Sequence, residues 1–217
     1  MTSGIESIRR IKVIDDDPAV REVYETFVEI SDREAVLEDG PLGTLDSYLE
    51  NSVHADAAIS DHRLRPGNYA YFDGIELVAA WYKRGMPALL CTTFDKSNVI
   101  PFRKWRPWVP VVMSASELNP DTLIRSLDLI KREIAGDFVA PRRPWRAQVR
   151  FVDSDPSENV AYAKIPGWSQ EAIAFRFNDL PEGLRAVLLG GTDLRVHARV
   201  NLGAESGDDV YVTDWEV

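Results

Sequence analysis

The feature that most constrains this chain is a rhythm of short apolar runs spaced by helix-length stretches. Ile11–Ile14, Ala35–Leu37, Ala57–Ser60, Ala88–Cys91 and Pro110–Met113 have the length and side chains of buried strands. Between them lie stretches with helical spacing. Pro18 opens one that runs from Ala19 to about Ile30, with Val20, Val23, Tyr24, Phe27 and Val28 on one side. A second covers Thr44 to Asn51, and a third covers Ile75 to Arg84 between Gly74 and Gly85. A last one starts at Asn119-Pro120 and reaches about Ala135. Strands that alternate with helices predict a parallel sheet covered on both faces, and in such sheets functional side chains collect at the carboxyl ends of the strands.

Acidic residues fall at those ends. Asp15 and Asp16 follow the first strand and Asp61 follows the third. Carboxylates at adjacent strand ends suit a hard divalent cation such as Mg2+, whose shell is completed by water and phosphate oxygens. The cation would offset the charge of a phosphoryl group arriving at one of the same carboxylates.

These residues resemble the response-regulator receiver family. Ile-Lys-Val-Ile-Asp-Asp-Asp-Pro is similar to its first-strand motif, which implies that Asp15 and Asp16 hold the metal. Ala-Ile-Ser-Asp-His-Arg-Leu resembles its phosphorylation strand, which implies that Asp61 is the acceptor and that the backbone carbonyl of Arg63 completes the metal shell. Asp73-Gly74 matches the pair before the third helix, after a longer loop than usual, and Leu-Leu-Cys-Thr-Thr implies that Thr92 hydrogen-bonds the phosphoryl oxygens. The resemblance covers residues 1 to about 135. It implies a flavodoxin-like, doubly wound five-stranded sheet, Mg2+ as cofactor, and a histidine kinase or phosphotransfer protein as phosphodonor.

Two departures bear on function. The family's Lys-Pro pair after the fifth strand falls on Ser116 and Glu117, which supply no positive charge. The segment Phe94–Pro110, normally loop and fourth helix, carries Pro101, Pro107 and Pro110 beside Phe102, Trp105 and Trp108. A proline inside a helix costs about 3 kcal/mol, so a short or displaced fourth helix is expected. Arg103, Lys104 and Arg106 among these aromatics have the composition of a nucleic-acid stacking patch, against which stand a partner-binding surface and a loop folded back with its Trp in a core.

Gly136–Trp145, with two prolines and a glycine, reads as a linker. Beyond it the period changes to two, in Gln148–Val152, Ala174–Phe177, Leu194–Val200 and Val210–Val212, which predicts a small all-β domain over 146–217. Asp153–Glu158 reads as a solvated turn rather than a Ca2+ loop, since it lacks the glycine and the distant glutamate such a loop needs. No catalytic constellation or phosphate loop is evident in this region. The net charge is −10. From Trp145 onward there are 7 Lys/Arg and 12 Asp/Glu against 18 and 23 before it, so each part carries −5. That balance disfavours nucleic acid as a partner and points to an unidentified protein effector. No run reaches the roughly 18 apolar residues of a membrane helix, Met1–Arg10 has no signal-peptide core, and the one cysteine, Cys91, sits in a strand. A cytoplasmic protein without membrane contact is expected.

The reading that follows is a signalling protein that accepts or senses a phosphoryl group at Asp61 and acts through protein contacts of its C-terminal domain, with no enzyme activity beyond self-catalysed phosphoryl acceptance. One alternative is a pseudo-receiver scaffold that works without phosphate and docks through Phe94–Pro110. A second is an enzyme whose C-terminal site is gated by the receiver.

Overall fold

The computed structural model describes residues 7–92, 100–191 and 193–216. The chain divides into two compact units. Among the described residues, the first holds 7–92 with 108–137, and the second holds 100–107 with 138–216.

The first unit is built on strands β1 (Arg10–Ile14), β2 (Glu34–Leu37), β3 (Ala57–Ser60), β4 (Ala88–Cys91) and β5 (Val112–Met113). All pair in parallel, in the order β2-β1-β3-β4-β5, which is the flavodoxin-like arrangement expected from the sequence. The fifth strand is shorter than its apolar run. Pro110 has no N–H to give the ladder, and pairing begins at Val112. Helices α1 (Pro18–Ile30), α2 (Leu45–Asn51) and α3 (Gly74–Lys83) fill the first three crossovers, and α4 (Pro120–Ile134) follows β5. Their starts are written locally. Asp17 accepts from the Ala19 N–H at 2.9 Å, and Asn119 and Thr122 satisfy each other's backbone N–H groups. On α4, Leu123, Leu127 and Ile130 lie along one stripe and are fully buried with Val28, Ile59 and Leu89. Burying each such side chain stabilises the unit by about 2 kcal/mol.

The second unit is an antiparallel sheet, in the order β10-β9-β6-β7-β8. Its strands are β6 (Trp145–Asp155), β7 (Val160–Ile165), β8 (Ser169–Arg176), β9 (Leu194–Val200) and β10 (Val212–Glu216), with one short helix, α5 (Glu182–Leu188), after β8. The β-domain expected from the sequence is present, with α5 and β7 as elements the period-two reading did not include. Asp153–Glu158 lies at the β6–β7 hairpin, where the Asp155 carboxylate accepts from the N–H groups of Ser157 and Glu158. Phe151, Phe175 and Trp215 pack ring against ring, with centroids 5.9 to 6.3 Å apart, at the centre of the core.

Residues 100–107 are the part of the fold that departs from the partition 1–135, 136–145 and 146–217 drawn on the sequence. They connect strands of the first unit along the chain, yet they pack with the second. No α-helix forms among the described residues of this crossover. Two single 3-10 turns, Ile100–Phe102 and Arg106–Trp108, contain Pro101 and Pro107. Phe94–Val99, the rest of the expected displaced helix, lies outside the described residues. Arg103 is 6% exposed, and its guanidinium donates to the carbonyls of Ala174 (2.9 Å), Gly207 (2.7 Å) and Val210 (2.5 Å) while lying over the Phe175 ring. Lys104 pairs with Asp179 and Arg106 with Asp209, each at 3.0 Å. Arg142, in the stretch read as a linker, donates to the Arg106 carbonyl at 2.9 Å, and Tyr211 donates to the Arg142 carbonyl at 2.6 Å. The three cations of the aromatic segment are thus engaged with backbone and carboxylates, and the folded-back loop buries the side chain of Arg103, whereas Trp105 and Trp108 are half-buried.

Candidate functional site

The site lies at the carboxyl end of the parallel sheet. Ile14 of β1 is in register with Ser60 of β3, so Asp15 and Asp61 leave adjacent strands side by side, and the Asp61 N–H donates to the Ile14 carbonyl at 2.9 Å. Thr92 leaves β4 next to β3, buried, with its N–H on the Met113 carbonyl at 2.9 Å. Of the three consecutive aspartates, Asp17 caps α1 and belongs to the scaffold. Asp15 is 6% exposed and accepts from the Asp17 N–H through Oδ1 at 2.9 Å. Burial, and then the charges of Asp61, Asp16 and Asp17, push its carboxyl up to about 6 against the Asp17 hydrogen bond. Burial and Asp61 also raise Asp16, while Arg21 pulls it the other way. That guanidinium, buried on α1, donates to the Asp15 carbonyl at 2.5 Å and reaches Asp39 at 3.3 Å.

Asp61 accepts from the Arg63 N–H through Oδ2 at 2.6 Å, which brings the Arg63 peptide to the Asp61 carboxylate. The Asp73-Gly74 pair has a steric reason. The Gly74 N–H donates to the His62 carbonyl at 2.8 Å, and a Cβ at Gly74 would stand 1.7 Å from the Asp61 carbonyl oxygen. Only glycine lets the start of α3 press against the loop that carries Asp61. Asp73 accepts a 2.9 Å bond from Arg65, which also holds Glu76 at 2.9 Å, so the long loop after Asp61 is clamped at its far end. Farther along it, Tyr69 donates to the Glu38 carbonyl at 2.5 Å and the Leu42 N–H donates to the Tyr69 carbonyl at 2.7 Å. Asp16, Asp39, Pro66 and Tyr69 line an open groove of about 430 Å3 beside the site. Burial outweighs Asp73 and Asp61 at His62 and lowers its pKa.

Where the resemblance places a lysine, Ser116 is exposed and its hydroxyl lies 2.9 Å from that of Ser114. Glu117 accepts from the Ser114 N–H at 2.7 Å and hydroxyl at 2.9 Å. Cys91 is buried against Tyr24, and burial pushes its thiol up to about 11, so it is a core residue without thiolate character at neutral pH.

The donor chemistry around Asp15, Asp16 and Asp61 suits a hard cation. Burial, and then the neighbouring carboxylates, disfavour the charged form of Asp15, and a bound cation would offset both. As placed, no group of three His, Cys, Asp or Glu side chains among the described residues converges closely enough to hold a metal ion.

No family model matches the chain, and no curated protein matches it. Solved response-regulator receiver domains are similar to it over about 58% of its length. One from Clostridium thermocellum is 17% identical, with a TM-score of 0.43 over 58% of this chain and 96% of that one. A CheY-like receiver from Methanospirillum hungatei is 20% identical, with a TM-score of 0.43 over 60% and 97%. The response regulator TrrA of Thermotoga maritima, solved with Mg2+ and BeF, is 19% identical, with a TM-score of 0.41 over 57% and 99%. No described helix is long and apolar enough to cross a membrane.

Proposed function

We propose that the protein is a response-regulator-like signalling protein that takes a phosphoryl group at Asp61 and acts through protein contacts of its second unit. The observation that carries the proposal is the register that sets Asp15 and Asp61 side by side at the ends of β1 and β3, with Asp16 next in the chain. Asp15 and Asp16 would hold Mg2+ with the Arg63 carbonyl, and the cation would supply charge neutralisation for the incoming group. An Asp61 oxygen attacks phosphorus, the bond from phosphorus to the donor imidazole breaks, and that imidazole takes a proton on release. Thr92 contacts the phosphoryl oxygens. The donor is a histidine kinase or phosphotransfer protein, and the compartment is the cytoplasm.

The test is Mg2+-dependent labelling by acetyl phosphate or beryllofluoride, read by intact mass and abolished in Asp61→Asn. Equal behaviour of wild type and variant refutes phosphoryl acceptance. A second reading, a scaffold that works without phosphate, is favoured by one observation. Ser116 and Glu117 bring no cation to the site, and Glu117 is bound to Ser114. Capture of a protein partner from the native cell by the full chain, unchanged in Asp61→Asn, selects that reading.

A further inference from the structure

The second unit carries more acid than base, yet its sheet sets three cations directly beside one another. All five Lys/Arg of β6, β7 and β9 project from the face of the sheet opposite the core. Ala147, Val149 and Phe151 of β6, Ala161 and Ala163 of β7, and Ala198 and Val200 of β9 are buried. Strand alternation therefore sends Arg146, Arg150, Lys164, Arg195 and Arg199 outward. Cross-strand register lines them up. Arg150 is directly opposite Arg195 on one side and Lys164 on the other, and Arg146 is opposite Arg199. The two rows lie four residues apart along β6, or about 13 Å.

Like charges directly opposite one another destabilise a sheet. A row of three cations across three strands therefore works against the fold that holds it, and among the described residues Arg150 alone has an ion-pair partner there, Asp193 at 2.9 Å. Where this face does find ligands, they are carboxylates. Glu216 receives both arms of Arg146, at 2.8 and 2.7 Å, in the planar fork that a guanidinium makes with a carboxylate.

We propose that this face docks an acidic segment of a partner protein, whose carboxylates bridge the Arg195–Arg150–Lys164 row. The inference rests on the reading of the second unit as a protein-binding output, and it names the chemistry of the partner. Nucleic acid is the weaker occupant. Binding to single strands draws on a series of exposed aromatics, and Tyr162 is the aromatic that stands on this face.

The experiment titrates a fluorescein-labelled oligoglutamate peptide with the full-length protein at low salt and follows anisotropy, with oligouridylate as the second probe. Saturable, salt-sensitive binding of the peptide is expected, weakened about tenfold or more in the double variant Lys164→Ala/Arg195→Ala. Neither residue makes a salt bridge within 4.0 Å among the described residues, although Arg195 acts on Asp193 at longer range. The variant should therefore melt at the wild-type temperature or above it, an outcome that a structural role for these cations does not produce. Absence of saturable binding, unchanged affinity in the double variant, or tighter binding of oligouridylate each overturns the proposal. If the full chain still captures a protein partner from the cell while oligoglutamate fails, the acidic-segment assignment falls and the protein-binding reading stands.

Discussion

Replacing Arg103 with methionine tests whether the 100–107 crossover is a structural part of the second unit. The substitution keeps most of the side-chain length and removes all three donors. Of the carbonyls it leaves, that of Val210 belongs to a fully buried residue, while Ala174 and Gly207 are partly accessible. An acceptor stranded in the interior costs about 2 kcal/mol, and each of two that water can reach costs about 0.5 kcal/mol, for a total of about 3 kcal/mol. Burial pulls the guanidinium down to about 10, so it is charged at neutral pH and its full donor strength is what is lost. For a unit of this size, about 3 kcal/mol lowers the melting temperature by about 12–24 °C. Calorimetry of the full chain should show the shift, and hydrogen exchange should place it at β8 and the 207–211 loop. Arg103→Lys should fall between, because one ammonium cannot span three carbonyls as the planar fork does. A loss under about 0.5 kcal/mol with unchanged protection in those two segments would mean that the crossover only rests on the sheet, and the reasoning would fail.

The first unit was largely legible in the sequence because its signals are local. The buried strands are short, mostly apolar runs, and Pro18, Gly74 and Asn119-Pro120 mark the starts of α1, α3 and α4. One residue inside such a run was misleading. Lys12 reads as part of an apolar strand, yet it is 1% exposed, lies over the Tyr48 ring and pairs with Glu38, a partner set by β1–β2 pairing rather than by sequence spacing. Asp15, Asp61 and Thr92 follow adjacent strands at the same end of the sheet, since strand order and register follow from the pattern. Which unit claims residues 100–107 could not be read locally. Their prolines forbid a helix, but the carbonyls that receive Arg103 are 71 to 107 residues away along the chain. The same holds for β7. Val160–Ile165 has only six residues, and its cross-strand partners on β6 and β8 decide its conformation.

Three further substitutions probe the first unit. Gly74→Ala forces a Cβ into the Asp61 carbonyl and should cost about 3 kcal/mol in a urea melt while abolishing labelling at Asp61; a wild-type melt would refute the close approach. Lys12→Ala strands Glu38 and should destabilise by about 3–5 kcal/mol, whereas Lys12→Met with Glu38→Gln should stay within about 1 kcal/mol of wild type. The last concerns pH. The Asp15 carboxyl is raised from 3.8 to about 6, so the folded state binds its proton more tightly than the unfolded chain does. Its contribution to stability is therefore fully present below about pH 4 and is lost as pH rises through 6. At about 1.4 kcal/mol for each tenfold gain in proton affinity, the loss amounts to about 3 kcal/mol. Mg2+ acts in the opposite direction, because it binds the ionised carboxylate, so millimolar Mg2+ should raise the melting temperature at about pH 8 and do little at about pH 5. Asp15→Asn removes both the titration and the ligand, and should flatten the pH slope and the Mg2+ response together. If the variant keeps either one, the charge concentrated at the ends of β1 and β3 does not act through Asp15.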